Sequence, residues 1–195
     1  MKIAVTGHTK GIGKACVDRF TKNGHEVIGF SRSNGYDISV FEGKAKIRNE
    51  CRECDVFINN AYSGRAQEHL FDLFWRDWKS YAKTIININS VVKYPQVKPL
   101  APLYKKNKED LEKASGDAVW DELTEPCSPI EGVKCRVLNI NPGLVETEMA
   151  EPFTKQGFDS LDPDTVAECI EWALDWPQDV QIYDLTVFKT GEKLL

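Results

Sequence analysis

Short apolar runs alternate with amphipathic stretches along the whole chain. Lys2–Thr6, Glu26–Phe30, Asp55–Ile58, Thr84–Asn89, Val133–Ile140 and Asp179–Phe188 read as strands. Between them, Ile12–Asn23 carries Ile12, Cys16 and Phe20 on one helical face and stops at Gly24. Ser39–Cys51, Gln67–Ala82 and Tyr104–Leu123 read as further helices, and Pro163–Leu174 as a helix with Val166, Ile170, Ala173 and Leu174 on one side. Strands that are apolar throughout and alternate with helices predict a parallel sheet covered on both faces. The expected fold is α/β: one doubly wound, Rossmann-type domain over residues 1–195. No repeat or linker interrupts it, and Pro126-Cys127-Ser128-Pro129 reads as a surface loop within the domain.

Composition narrows the function. With 42% hydrophobic and 28% charged residues, the chain has neither a disordered nor a coiled-coil composition. No apolar run approaches the ~20 residues of a membrane span. Met1–Gly7 lacks a signal-peptide core, so a cytoplasmic protein is expected. The net charge of -5 and the absence of a basic stripe argue against a nucleic-acid partner. The cationic run Tyr104-Lys105-Lys106-Asn107-Lys108 is offset at once by Glu109-Asp110. Of six cysteines only Cys51 and Cys54 are close; Cys127 and Cys135 stand apart, and His8, His25 and His69 are scattered. A structural zinc site wants four ligands, so reduced thiols packed as small apolar groups, and no metal, are expected.

Candidate chemistry begins at Thr6-Gly7-His8-Thr9-Lys10-Gly11-Ile12-Gly13, between the first strand and the first helix. Glycines allow a tight turn and a close approach of the backbone to a pyrophosphate, and the helix N-terminus offers free N–H groups. Gly7, Thr9, Lys10, Gly11, Ile12 and Gly13 are therefore candidate dinucleotide contacts. The second strand ends Gly29-Phe30-Ser31-Arg32, with no carboxylate until Asp37. An acid at that point would bind the ribose of NAD, whereas a base accommodates the 2′-phosphate of NADP. Arg32 and Lys10, with Ser31 beside them, thus predict NADP(H).

These and four later segments resemble the short-chain dehydrogenase/reductase family. Asn59-Asn60-Ala61 resembles its Asn-Asn-Ala-Gly motif, with Tyr62 in place of glycine. Ile86–Ser90 resembles the strand that ends in the family's serine, and Tyr104-x-x-x-Lys108 its tyrosine–lysine motif, 14 residues after Ser90. Asn141-Pro142-Gly143-Leu144-Val145-Glu146-Thr147 resembles its Pro-Gly-x-x-x-Thr segment. The resemblance implies an NADP(H)-dependent oxidoreductase moving hydride between nicotinamide and a carbonyl or alcohol. Ser90, Tyr104 and Lys108 would be catalytic. Asp37, Asn60, Ala61, Pro142, Gly143, Val145 and Thr147, with Tyr104 and Lys108, would touch the cofactor. Tyrosine and lysine four apart share a helix face. An ammonium ~4 Å from a phenol, at an effective dielectric of ~20, supplies about 4 kcal/mol, enough to lower a phenol by about three units. Lys108 is therefore expected to activate Tyr104. The alternative is an NADP-binding sensor on the same scaffold that does little chemistry.

The chain departs from the family in three places. Only four residues separate Arg32 from Asp37, where relatives carry a helix before the third strand. No asparagine occurs in Gln67–Lys83, where relatives place one in a proton relay; Gln67 or His69 is the available substitute. The Met149–Asp162 connection is short for a substrate lid, which predicts an open pocket beside Ser90 and Tyr104. Finally, Leu70, Phe74, Trp78 and Tyr81 share one face of a helix and Phe71 and Trp75 another. Two apolar faces exceed one core contact. With the family's use of this helix and the Tyr104 helix at an interface, they predict a homodimer or homotetramer.

Overall fold

The computed structural model describes residues 1–97, 101–124 and 134–191, with backbone alone for 122–124. Cys127, the Pro126–Pro129 loop and the predicted strand start at Val133 lie outside the described residues. Six parallel strands form one sheet: β1 (Lys2–Thr6), β2 (Glu26–Phe30), β3 (Val56–Asn59), β4 (Thr84–Ile88), β5 (Arg136–Pro142) and β6 (Asp184–Val187). Six helices accompany them: α1 (Gly11–Lys22), α2 (Phe41–Glu50), α3 (Ala66–Trp78), α4 (Pro102–Thr124), α5 (Glu151–Thr154) and α6 (Pro163–Leu174). The predicted α/β architecture is the one observed. The largest boundary difference is in β6: Asp179–Tyr183 is not ladder-paired, so that strand begins five residues later than its apolar pattern suggests.

Side-chain alternation along the strands divides the core. Ile3, Val5, Ile58, Ile86, Leu138 and Ile140 face Cys16 and Phe20 of α1 and Val166 and Ile170 of α6. Ala4, Phe57, Ile85 and Val137 point the other way, onto Ile47 of α2, Leu70 and Phe74 of α3 and Leu111 of α4. Helix α1 ends as its sequence requires. Gly24 takes φ +81°, and the N–H groups of Gly24 and His25 return to Thr21 and Phe20, which satisfies the last carbonyls.

The two-sided aromatic helix does not leave the exposed patch that was expected. Phe71, Phe74 and Trp78 are at most 4% exposed, and the Phe57 and Phe74 rings stack 3.7 Å apart. Only Tyr81, beyond the helix, is exposed at 60%. Helix α3 lies between α2 and α4 on the sheet, so both apolar faces find partners within the chain. Among the described residues, no helix is long and apolar enough to cross a membrane.

The sheet order is β2-β1-β3-β4-β5-β6. This is the usual doubly wound order 3-2-1-4-5-6 with the outermost strand of the first half missing and one strand added at the opposite edge. A turn of 3₁₀ helix at Arg32–Asn34 and a short run into α2 replace that strand, which leaves β2 at the edge. The shortcut brings α2 hard against the turn. A Cβ on Gly43 would lie 1.8 Å from the Asp37 carbonyl oxygen and 2.6 Å from its carbon. Gly→Ala in a helix interior ordinarily stabilises by up to about 1 kcal/mol. Here the clash is with backbone, and overpacking of this kind costs about 1–3 kcal/mol. Gly43→Ala should therefore lower the midpoint of denaturant unfolding; a midpoint at or above wild type would show that α2 can shift away.

Candidate active site

Strand order reverses between β1 and β3, and ligands of open α/β sheets bind at such a point, beyond the carboxyl ends of the strands. The predicted segments meet there. Gly7 (φ +71°) donates its N–H to Phe30 O at 2.7 Å and so turns the chain off β1. A Cβ on Gly13 would sit 2.2 Å from Gly7 O, and one on Gly11 (φ +55°) 2.9 Å from Thr147 Cγ2. Backbone can thus approach a ligand closely at Gly7–Gly13, and Thr147 lies on the same loop. Helix α1 has no side-chain cap at its N-terminus and no acid in its first turn. Its first N–H groups are suited to a phosphate. Thr6 joins the second motif to the first: its Oγ1 accepts from the N–H groups of Asn60 (2.9 Å) and Ala61 (3.0 Å). Asn60 Nδ2 in turn donates to Thr6 O at 2.9 Å. The residues present fit a dinucleotide.

Ser90 follows β4 and caps a 3₁₀ turn (Val91–Lys93), its Oγ accepting from Val92 N at 3.3 Å. Tyr104 and Lys108 stand on the first turns of α4. Ser90 lies near enough to the Tyr104 phenol to favour its ionised form, and Lys108 Nζ lies 5.4 Å from the centre of the Tyr104 ring. The three candidate catalytic residues are therefore together. Lys108 is 3% exposed and donates to Gln67 Oε1 (2.7 Å) and Ile88 O (2.8 Å).

Several expectations need correction. Tyr104 is not activated: burial pushes its phenol up to about 12, and its contact with Ser90 only partly opposes this. Lys108 is itself desolvated, which brings it down to about 7, and its ammonium is directed at Gln67 and Ile88. Among the described residues, Ser90 and Lys108 are buried. Tyr62, where the resemblance expects glycine, sets its ring edge-on to Tyr104 at 4.9 Å and 5.6 Å from Lys108 Nζ. Asn107 Nδ2 holds the Tyr62 hydroxyl at 2.9 Å. A hollow of about 720 Å³ does open beside Gly11 and Thr147. Its lining includes Asp18, Glu146, Glu148, Glu151, Asp162 and Asp164 against Lys14, and none of Ser90, Tyr104 and Lys108.

The other candidates are placed as follows. Lys10 is exposed and pairs with Glu148 in the turn after Thr147, so its ammonium is turned away from the end of β2. Arg32 is exposed just beyond β2, and Ser31 caps its turn with Asn34. Asp37 accepts from Ser39 N (2.8 Å) and is held below the usual carboxylate range first by Ser39 and then by Arg32. Ile12 packs on the core, and Val145 is buried there in a bridge to Leu161, so neither side chain points at the cleft. Pro142 ends β5, and Gly143 N bonds Val187 O at 2.8 Å. Thr9 is exposed on the glycine loop. His69 is exposed too and does not reach Lys108. Five described cysteines are free thiols, and no three His, Cys, Asp or Glu side chains converge among the described residues.

One feature was missed. Asn59, Asn87 and Asn139 are register partners on β3, β4 and β5 and form a buried ladder: Asn59 Nδ2 to Asn87 Oδ1 and Asn87 Nδ2 to Asn139 Oδ1, each 3.0 Å. Asn139 Nδ2 continues to Ser115 Oγ at 2.9 Å. The signal was present: asparagines recur at period two in Asn87-Ile88-Asn89 and Asn139-Ile140-Asn141. Nearby, Lys93 is bracketed by Glu112 (2.8 Å) and Asp184 (2.9 Å). Burial works to lower Lys93, but the two carboxylates outweigh it and raise it.

The fold is of the doubly wound class, and the residues at its switch point fit a dinucleotide. No protein-family model matches the chain. The chain is similar to the serine 3-dehydrogenase of Rhizobium radiobacter, 23% identical, with 97% of this chain and 94% of that protein aligned. It is similar also to the NADP-dependent 3-hydroxy acid dehydrogenase of Schizosaccharomyces pombe, 26% identical over 97% and 93%. A farnesol dehydrogenase of Aedes aegypti is 30% identical, but the match spans 56% of this chain and only 43% of that protein. Among solved structures, a short chain dehydrogenase from Burkholderia cenocepacia J2315 in complex with NADP superposes with TM-score 0.78 at 17% identity, over 97% of this chain and 89% of that one. A 3-ketoacyl-(acyl-carrier-protein) reductase from Brucella melitensis complexed with NADH gives TM-score 0.73 at 20% identity, over 96% of each. The chain shares the fold of these short-chain dehydrogenase/reductase structures, and its ordered motifs resemble that family's.

The buried lysine makes a prediction that needs no substrate. An unfolded lysine titrates near 10.5 and Lys108 in the fold at about 7. Between those values the unfolded chain binds a proton that the folded chain does not, so this group makes stability rise with pH. The stability of wild type relative to Lys108→Met should therefore increase between pH 7 and 10, by up to about 1.4 kcal/mol per unit. Parallel denaturant curves across that range check it, and a pH-independent difference would contradict it.

Proposed function

We propose that the chain is an NADP(H)-dependent oxidoreductase acting on a carbonyl or alcohol, and that it works as a reductase in the cytoplasm. The observation that carries this reading is the grouping of Ser90, Tyr104 and Lys108 beyond the carboxyl end of β4, in the same parallel sheet whose β1 ends in the glycine loop. Relatives and structural neighbours described as dehydrogenases or reductases support the oxidoreductase class.

The cofactor, when bound, supplies the hydride. This chain's residues do the rest. Gly7, Gly11 and Gly13 admit the pyrophosphate to the N-terminus of α1. Asn60 and Ala61, fixed by Thr6, form the adjoining wall. Pro142, Gly143 and Thr147 face the loop from the other side. Ser90 donates to the carbonyl oxygen and orients it, and Tyr104 transfers its phenolic proton to that oxygen. A phenol raised to about 12 is fully protonated at neutral pH, the form a reduction needs. Lys108 stands behind Tyr104, where it stabilises the phenolate left after transfer.

Arg32, exposed at the end of β2, is the cation placed for a 2′-phosphate; Lys10 joins it only by leaving Glu148. Charge-assisted contacts of this kind are worth about 1.5–3 kcal/mol. The non-catalytic sensor is not favoured, because it has no use for Ser90, Tyr104 and Lys108 together. A homodimer or homotetramer belongs to the same reading, although α3 no longer argues for it; Leu103 and Trp120 remain exposed on α4 at 71% and 57%.

Two measurements test the reading. NADPH should bind at least about tenfold more tightly than NADH, and Arg32→Asp should abolish or invert the preference; equal affinities in wild type would refute the NADP assignment. Tyr104→Phe should keep cofactor affinity and lower the rate of carbonyl reduction by about 10²–10⁴-fold. A variant that keeps most of its rate would require another acid.

A further inference from the structure

We infer that Gln67 is the positioning residue for Lys108: its side-chain amide ties the lysine to the ends of β3 and β4 and keeps it beside Tyr104. The inference rests on the reading of Lys108 as part of the catalytic group.

Every bonding capacity of that amide points to this task. Gln67 is 2% exposed and sits in the first turn of α3. Its Oε1 accepts from Lys108 Nζ at 2.7 Å. Its Nε2 donates to Asn59 O at 2.8 Å and to Ile88 O at 3.2 Å, the two strand ends that flank the site. Its backbone carbonyl accepts from Asn59 Nδ2 at 2.8 Å, which joins it to the asparagine ladder. Ile88 O is the lysine's other acceptor, so Gln67 and Lys108 converge on one carbonyl.

The groups facing Lys108 are few. They are the amide of Gln67 from α3, the Ile88 carbonyl from β4, the Tyr104 ring on its own helix, and the Tyr62 ring from the β3–α3 connection. None is a carboxylate. Glu112, one turn further along α4, is taken up by Lys93, Asn89 and Tyr183. A buried lysine without a counter-ion titrates low, and what remains to hold its proton is the neutral acceptor. Replacing that acceptor with a carboxylate favours the ammonium, and replacing it with an apolar chain disfavours it. A residue that merely braced the two loops through Nε2 would leave the lysine's titration untouched.

The test titrates Lys108 directly. The ¹⁵Nζ resonances of labelled lysine are followed against pH in cofactor-free wild type, Gln67→Glu and Gln67→Met, with Lys108→Arg to assign the signal. The expected result is a Lys108 midpoint raised by about one unit or more in Gln67→Glu and lowered in Gln67→Met. The pH limb of NADPH-dependent reduction should move the same way. If Gln67→Glu does not fold, Gln67→Met decides alone. A folded variant with an unmoved Lys108 midpoint overturns the inference. If the midpoints move as expected but wild type reduces no carbonyl with NADPH, positioning stands and the catalytic reading fails.

Discussion

The site depends on one ammonium group taken out of water. Lys108 is nearly inaccessible and meets no carboxylate, so its desolvation is answered only by an amide, a carbonyl and two aromatic rings. Those four groups come from α3, β4, α4 and the β3–α3 connection. Holding the lysine therefore fixes four segments relative to one another. The buried asparagines extend the constraint, because Asn59 and Asn87 each donate to the neighbouring strand at matching register and Asn139 donates to Ser115 of α4. A polar ladder of this kind tolerates no slip of β3, β4 or β5, since a shift by one residue would put an amide among the apolar side chains of the opposite face.

The shortened first half of the sheet has its own consequence. Without an outer strand, β2 becomes an edge, and the chain must pass from Phe30 to α2 within ten residues of turn. The passage is tight enough that Gly43 has no room for a methyl group against Asp37. It also places Arg32 and Asp37 within electrostatic reach of each other, so that Arg32 helps to hold the Asp37 carboxyl below the usual range.

Much of this was legible in the sequence, and the remainder failed for definite reasons. Apolar strands, helix faces and glycine positions report local periodicity and backbone need, so the sheet and the glycine loop followed from them, while the Ser90–Tyr104–Lys108 grouping came from the resemblance of its motifs to a known family. Helix α3 misled because periodicity counts apolar faces and not the partners available to them; α2, α4 and the sheet supply enough surface to bury both. Lys10 was assigned by position, but a long side chain takes the nearest opposite charge, here Glu148. Gln67 was noted only as a substitute for an absent asparagine. Its direct bond to Lys108 joins residues 41 apart, a contact no local pattern encodes.

The protonation states at the site also bear on the direction of the reaction. If Lys108 were fully charged, its attraction for a Tyr104 phenolate over the 5.4 Å to the ring centre would be about 3 kcal/mol at an effective dielectric of ~20. That corresponds to about two units of acidity. Subtracted from a phenol at about 12, it leaves Tyr104 near the ordinary value for tyrosine, still protonated at neutral pH. Making the phenol a base at pH 7 would take about a further 4 kcal/mol. Nothing among the described neighbours supplies that: Ser90 already favours the ionised form, and Tyr62 opposes ionisation. With these residues alone, the Tyr104 phenol stays protonated at neutral pH. A bound cationic nicotinamide would act on the phenol in the opposite sense, so the balance between the two directions depends on the oxidation state of the cofactor.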